Sequence, residues 1–173
     1  MTFKDIDLTG FSTDTDLEGA RVPPGRYHVQ VLDVRPDDEA RTPCMVFKLV
    51  VLAGEHRGLT FQERLYFSDK DGAKRRVGLF ARRLGLVRPE DLGKRLSVDW
   101  RRAIGRDFIG EVIEETYEKR DGSTGTSSKL AFSGVYDPTD DRVKDVPRDR
   151  LIPKPPAVPA PPAGAPAYPL LSC

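Results

Sequence analysis

The sequence predicts a mainly β domain of five strands, with one or two helices inserted between the third and fourth and a disordered proline-rich tail behind. Three observations carry this. Apolar residues alternate with period two from about residue 26 to 67, follow a helical period from about 69 to 105, and alternate again from 108 to 136. Turn-forming clusters separate the runs. Proline and alanine then replace the pattern altogether.

Residues 1–21 form an acidic lead, with Asp5, Asp7, Asp14, Asp16 and Glu18 set against Lys4 and Arg21. Its apolar residues Phe3, Ile6, Leu8 and Phe11 could dock on the domain, but no structure is assigned to them. Val22-Pro23-Pro24-Gly25 is a turn that launches the first strand. Arg26–Arg35 places Tyr27, Val29 and Val31 on one face, with Arg26, His28 and Gln30 opposite. The apolar phase then moves to Leu32 and Val34, which implies a bulge and a bend. Cys44–Leu52 is apolar on both faces except at Lys48, as a central strand should be. In Leu59–Phe67, Leu59, Phe61, Leu65 and Phe67 share a face that also carries Glu63. Thr60, Gln62, Arg64 and Tyr66 share the other.

Ser68 or Asp69 can cap a helix whose apolar line is Ala73, Val77, Phe80, Ala81 and Leu84, and Gly85 ends it. A second helix is expected from Pro89, with the line Leu92, Leu96, Trp100 and Ile104, stopped by Gly105. Phe108–Tyr117 and Lys129–Tyr136 are the last strands, joined by the flexible loop Asp121–Gly125. In the final strand Leu130, Phe132, Gly134 and Tyr136 alternate, which puts Phe132 in the core beside Phe61 and Phe80. Three strands, a helical insertion and two strands is the layout of an OB-like, partly open Greek-key barrel, here over residues 22–138. A hairpin protein with a packed helix pair is the rival architecture. Residues 139–173 read as a disordered Pro/Ala-rich tail.

Composition narrows the function classes. Cys44 and Cys173 are the two cysteines, too few for a disulfide framework or a zinc site, and they suit a reducing cytoplasm. The first residues lack an apolar signal core, and no run approaches a membrane span, so a soluble cytoplasmic protein without membrane attachment is expected. No phosphate loop, HExxH or GxSxG pattern occurs. Asp69-Lys70-Asp71-Gly72 lacks two oxygen ligands of a calcium loop, with Ala73 fifth and Phe80 twelfth. Glu111, Glu114, Glu115 and Glu118 read as a solvated acidic edge. A non-enzymatic binding protein with no metal or cofactor follows.

Charge supplies the positive signal. The chain's net charge is +1, yet eleven cations and three carboxylates lie between Lys74 and Arg106, a local excess of eight. Such a patch draws phosphates. Beside it, the strand faces offer cations next to rings, the combination that lets bases stack while cations follow the backbone. The candidate nucleic-acid-binding residues are Arg26, His28, Lys48, Arg64, Tyr66, Lys74, Arg75, Arg76, Arg82, Arg83 and Tyr117. Trp100, on a predicted helix's apolar line, is assigned to the core.

Val22-Pro23-Pro24-Gly25-Arg26-Tyr27-His28-Val29, the later Gly54-Glu55-His56-Arg57-Gly58-Leu59 and the short Leu84-Gly85-Leu86 resemble a family of phage proteins long known only as a domain of unknown function. The resemblance covers about residues 22–138. It implies an OB-like fold that binds single-stranded DNA in phage or prophage replication or recombination, without catalysis. It gives no site residues. The chain departs from the family pattern in its Trp/Arg-rich second helical stretch, its long final hairpin loop and its tail. The expected function is therefore non-sequence-specific binding of single-stranded DNA, with affinity falling steeply in salt. The tail would meet phage recombinase or replication proteins, and a homo-oligomer stays open. The alternative is a protein-interaction adaptor that uses the domain as scaffold and the tail as docking segment.

Overall fold

The computed structural model describes residues 5–9 and 21–153. The remainder of the acidic lead and the proline-rich run from 154 onward lie outside the described residues. Five antiparallel strands form one sheet: β1 Gly25–Asp37, β2 Cys44–Val51, β3 Thr60–Tyr66, β4 Asp107–Glu118 and β5 Thr124–Tyr136. Their order across the sheet is β3-β2-β1-β4-β5. One helix, α1 (Asp71–Arg83), lies between β3 and β4.

The early strands follow their patterns. In β3 the residues alternate strictly between exposed and buried, so Phe61, Glu63 and Leu65 turn inward while Gln62, Arg64 and Tyr66 turn out. β1 slips register between Val31 (opposite Leu49) and Asp33 (opposite Lys48), leaving Leu32 as the extra residue. The bulge falls where the apolar phase shifts, and it lets one strand serve two partners. Residues 25–30 pair with β4 and residues 29–37 with β2, so the two ladders overlap only at Val29 and Gln30. The core lies where Phe80, Ala81 and Leu84 pack against inward residues of the sheet. Phe47, Phe80, Phe108 and Trp100 meet there edge-to-face or tilted, with ring centres 5.9–6.2 Å apart, in the range that favours aromatic pairs.

The sheet is not closed into a barrel. Its edge strands β3 and β5 approach each other without joining in a ladder, and side chains span the seam instead. The Glu63 carboxylate on β3 accepts the Leu130 backbone N–H of β5 at 2.7 Å. Arg76 of α1 donates to Glu63 at 2.6 Å and to the carbonyls of Ala131 and Phe132 at 3.1 and 2.8 Å. A charged pair thus does part of what a fifth ladder would do.

Three expectations are corrected. The second helix is absent. Pro89–Asp91 and Trp100–Ala103 are single 3-10 turns, and the chain between them reverses at Gly93, whose φ of +84° no helix accommodates. Leu92 and Leu96 are consequently exposed, while Trp100 is buried as expected. Phe132 is not in the core. Val112 pairs with Leu130 and Gly110 with Val135, so Glu111 alone faces residues 131–134 of β5. That wide bulge breaks the alternation and leaves Phe132 52% exposed. His28 and Gln30 do not face outward into solvent, because chain beyond Pro138 covers them. Val143 is buried, and Ile152 exchanges two hydrogen bonds with the Gln30 amide, at 2.8 and 3.0 Å. Packing therefore continues well past Pro138. Among the described residues no helix is long and apolar enough to cross a membrane.

Candidate nucleic-acid interface

The unclosed seam between β3 and β5 opens into a cleft of about 670 Å³. Gln62, Arg64 and Tyr66 form its β3 wall, and Ile113, Glu115, Ser127 and Lys129 of the β4–β5 hairpin form the opposite one. Glu63, Arg76 and Leu130 make the floor, and Phe132 stands at one end. The cleft exists because the hairpin runs on past the seam. Glu115 pairs with Ser127 and Tyr117 with Gly125, well beyond the point where β5 passes α1.

Two exposed rings line this opening, and a third continues the hairpin beyond it. Tyr66 is 46%, Tyr117 47% and Phe132 52% exposed, and they are the exposed aromatic side chains among the described residues. Tyr117 follows Ile113 and Glu115 at two-residue spacing, so it lies on the strand face that lines the cleft. A Cβ on Gly125 would lie 2.6 Å from the Tyr117 ring, so the glycine lets that ring lie flat across the hairpin. Phe132 is held by its bulge and by the Arg76 guanidinium 5.7 Å from its ring centre. That cation sits 5.2 Å from the Phe80 ring centre as well, which ties the cleft floor to the core.

The cations in the cleft each carry a carboxylate. Arg64 is paired with Asp37 and also donates to the Cys44 sulfur. The hydrogen bond from Arg64 holds the Asp37 carboxyl below the usual range. Lys129 is paired with Glu115. Arg76 is paired with Glu63, both side chains being largely buried. Desolvation pushes the Glu63 carboxyl up, against the opposing pull of Arg76 and the Leu130 N–H. Lys48 stands exposed on the outer sheet face, opposite Gln62 of β3 and Asp33 of β1.

Of the candidates named from the sequence, the structure brings Arg64, Tyr66 and Arg76 to this cleft, with Tyr117 farther along the hairpin and Lys48 on the adjoining sheet face. It does not bring the others. Arg26 bonds Glu111 and the Arg142 carbonyl and lies over the Tyr136 ring. His28 is buried: Nε2 is 2.7 Å from Asp107 and Nδ1 accepts the Asp149 N–H. Both its strand face and the opposite one are buried here, and the covering chain is too distant in sequence to leave a local signal. Arg82 and Arg83 donate to the carbonyls of Val87 and Val135. Lys74 and Arg75 are exposed on α1 and line other grooves. The basic run of 74–106 is thus distributed around its segment rather than gathered on one face.

Sequence reasoning missed Phe132 and Lys129. Gly134, a glycine inside a strand, was the available signal for a bulge that would turn Phe132 outward. Among the described residues no group of three or more His, Cys, Asp or Glu is placed to hold a metal ion. No protein-family model matches the chain, and no curated protein matches it.

Proposed function

We propose that the chain binds single-stranded DNA without sequence preference, in the cleft between β3 and β5. One observation carries the reading: the exposed rings of Tyr66 and Phe132 line one cleft of mixed polar and apolar surface, and the exposed Tyr117 ring continues the hairpin beyond it. An exposed ring costs the fold solvation and gives nothing back until a flat partner covers it. Nucleobases are such partners, and every base offers a π-face, which makes stacking indifferent to sequence. Arg64, Lys129 and Lys48 supply donors for the phosphates between stacked bases. The resemblance to phage proteins of the replication and recombination modules favours the same ligand.

The reading is tested by titrating a fluorescent oligo-dT and following anisotropy. Tyr66→Ala and Phe132→Ala should each weaken binding by about 1–3 kcal/mol, the worth of one stacked base. Unchanged affinity in both folded variants removes the cleft from the reading. An absence of binding by the wild-type chain even at low salt removes the function.

A further inference from the structure

A second groove lies on the other side of α1. About 380 Å³ in volume, it runs between α1 and the irregular chain that replaces the expected second helix. Val77, Leu92, Leu96 and Trp100 give it an apolar lining, and Lys74, Lys94 and Arg95 stand along it. None of these three cations forms an ion pair among the described residues, whereas Asp91 in the same groove is engaged by Arg88. An apolar trough edged with unpaired cations suits an extended segment that alternates apolar and acidic residues.

The chain contains such a segment. Asp5-Ile6-Asp7-Leu8 alternates acid with aliphatic, within a lead that also carries Phe3, Phe11, Asp14, Asp16 and Glu18. In an extended backbone Ile6 and Leu8 fall on one side and Asp5 and Asp7 on the other. Ile6 is 79% and Leu8 51% exposed, so the lead's aliphatic side chains are as unpartnered as Leu92 and Leu96. Reach is not limiting. The twelve residues between Leu8 and Arg21 can span about 40 Å when extended, against a radius of gyration of about 14 Å for a domain of this size.

We propose that the N-terminal lead docks in this groove of its own chain. In this docked arrangement, which differs from the exposed placement of residues 5–9, Ile6 and Leu8 lie against Leu92, Leu96 and Trp100, and Asp5 and Asp7 face Lys74, Lys94 and Arg95. The inference does not rest on the nucleic-acid reading.

Trp100 is the chain's one tryptophan and lines the groove, so the full-length protein reports on its own docking. The experiment compares Trp100 emission and acrylamide quenching in wild type, Ile6→Ser/Leu8→Ser and Lys94→Glu/Arg95→Glu, with circular dichroism confirming the fold. Both variants should shift emission to the red and raise the quenching constant. Adding Asp5→Lys and Asp7→Lys to the Lys94→Glu/Arg95→Glu chain should restore wild-type quenching. Identical quenching in wild type and Ile6→Ser/Leu8→Ser overturns the proposal. The difference should also be independent of protein concentration. If it grows with concentration while sedimentation shows a doubled mass, the occupant is a second copy and the assignment within one chain is overturned.

Discussion

Glu63 is the residue on which the seam turns. It sits on the core-facing side of β3, where every neighbour in the pattern is apolar, and two donors justify it there: Arg76 and the Leu130 N–H. Removing one partner of a buried pair leaves the other desolvated and unmatched. Glu63→Ala should therefore cost about 3–5 kcal/mol in urea denaturation, whereas Glu63→Leu with Arg76→Leu should recover much of the loss. Additive losses in the double variant would show that the two residues do not act as a pair. Titration gives a second handle. Burial raises the Glu63 carboxyl above its unfolded value of 4.5. A raised acid stabilises the fold fully below its unfolded value and gives that up as pH rises through the folded one. Asp140 has the opposite sign: its hydrogen bonds with Arg142 hold it down at about 2, so its contribution is present above 3.8 and fades as pH falls toward 2. Stability relative to Glu63→Gln should thus increase on acidification from neutrality through 4.5, while stability relative to Asp140→Asn should decrease only below 3.8. Denaturant midpoints across that range check both signs.

At the scale of elements, the bulge at residues 131–134 of β5 decides which ring faces solvent. Gly134 makes it possible, because a Cβ there would lie 2.8 Å from the Glu111 Cβ and 3.1 Å from the Glu111 carbonyl oxygen. Backbone cannot step aside as a long side chain can. Gly134→Ala should destabilise the domain by about 1–3 kcal/mol, the usual cost of overpacking, and should weaken DNA binding through displacement of Phe132. Unchanged thermal stability would mean that the bulge can rearrange without loss. The strands were legible where period two is a local property: β3 reads residue by residue, and the Leu32 bulge shows as a phase shift. The second helix was not, because its apolar spacing is helical while Gly93 makes the backbone turn. Nor was the cover over His28 and Gln30, since the residues that bury them lie about 120 positions later and their sequence of mixed charges has no period. The cleft was half legible. Tyr66 and Arg64 follow from alternation, as does Tyr117 beyond it, but Phe132 requires the bulge, and Arg76 enters from a helix whose other cations point elsewhere.

For the molecule as a whole, the distribution of charge separates two ways of holding a strand. The excess of cations between Lys74 and Arg106 suggested binding driven by phosphate neutralisation, with a steep salt dependence. In three dimensions the cleft's own cations are already matched, Arg64 by Asp37, Arg76 by Glu63 and Lys129 by Glu115. A cation already matched by a carboxylate neutralises little of a phosphate's charge and so displaces few of the counterions condensed on the DNA, which leaves the rings to supply most of the affinity in the cleft. For single strands log K changes with log salt by about −0.7 per neutralised phosphate. Engagement of one or two free cations such as Lys48 gives a slope of about −1, whereas engagement of the four cations of α1 outside the cleft would give about −2.8 by the same relation. Oligo-dT titrations over a range of salt should return the shallow value, and Lys74→Ala/Arg75→Ala should leave it unchanged. A steep slope that flattens in Lys74→Ala/Arg75→Ala would move the strand out of the cleft and onto the outer face of the helix, where no exposed ring is available to stack.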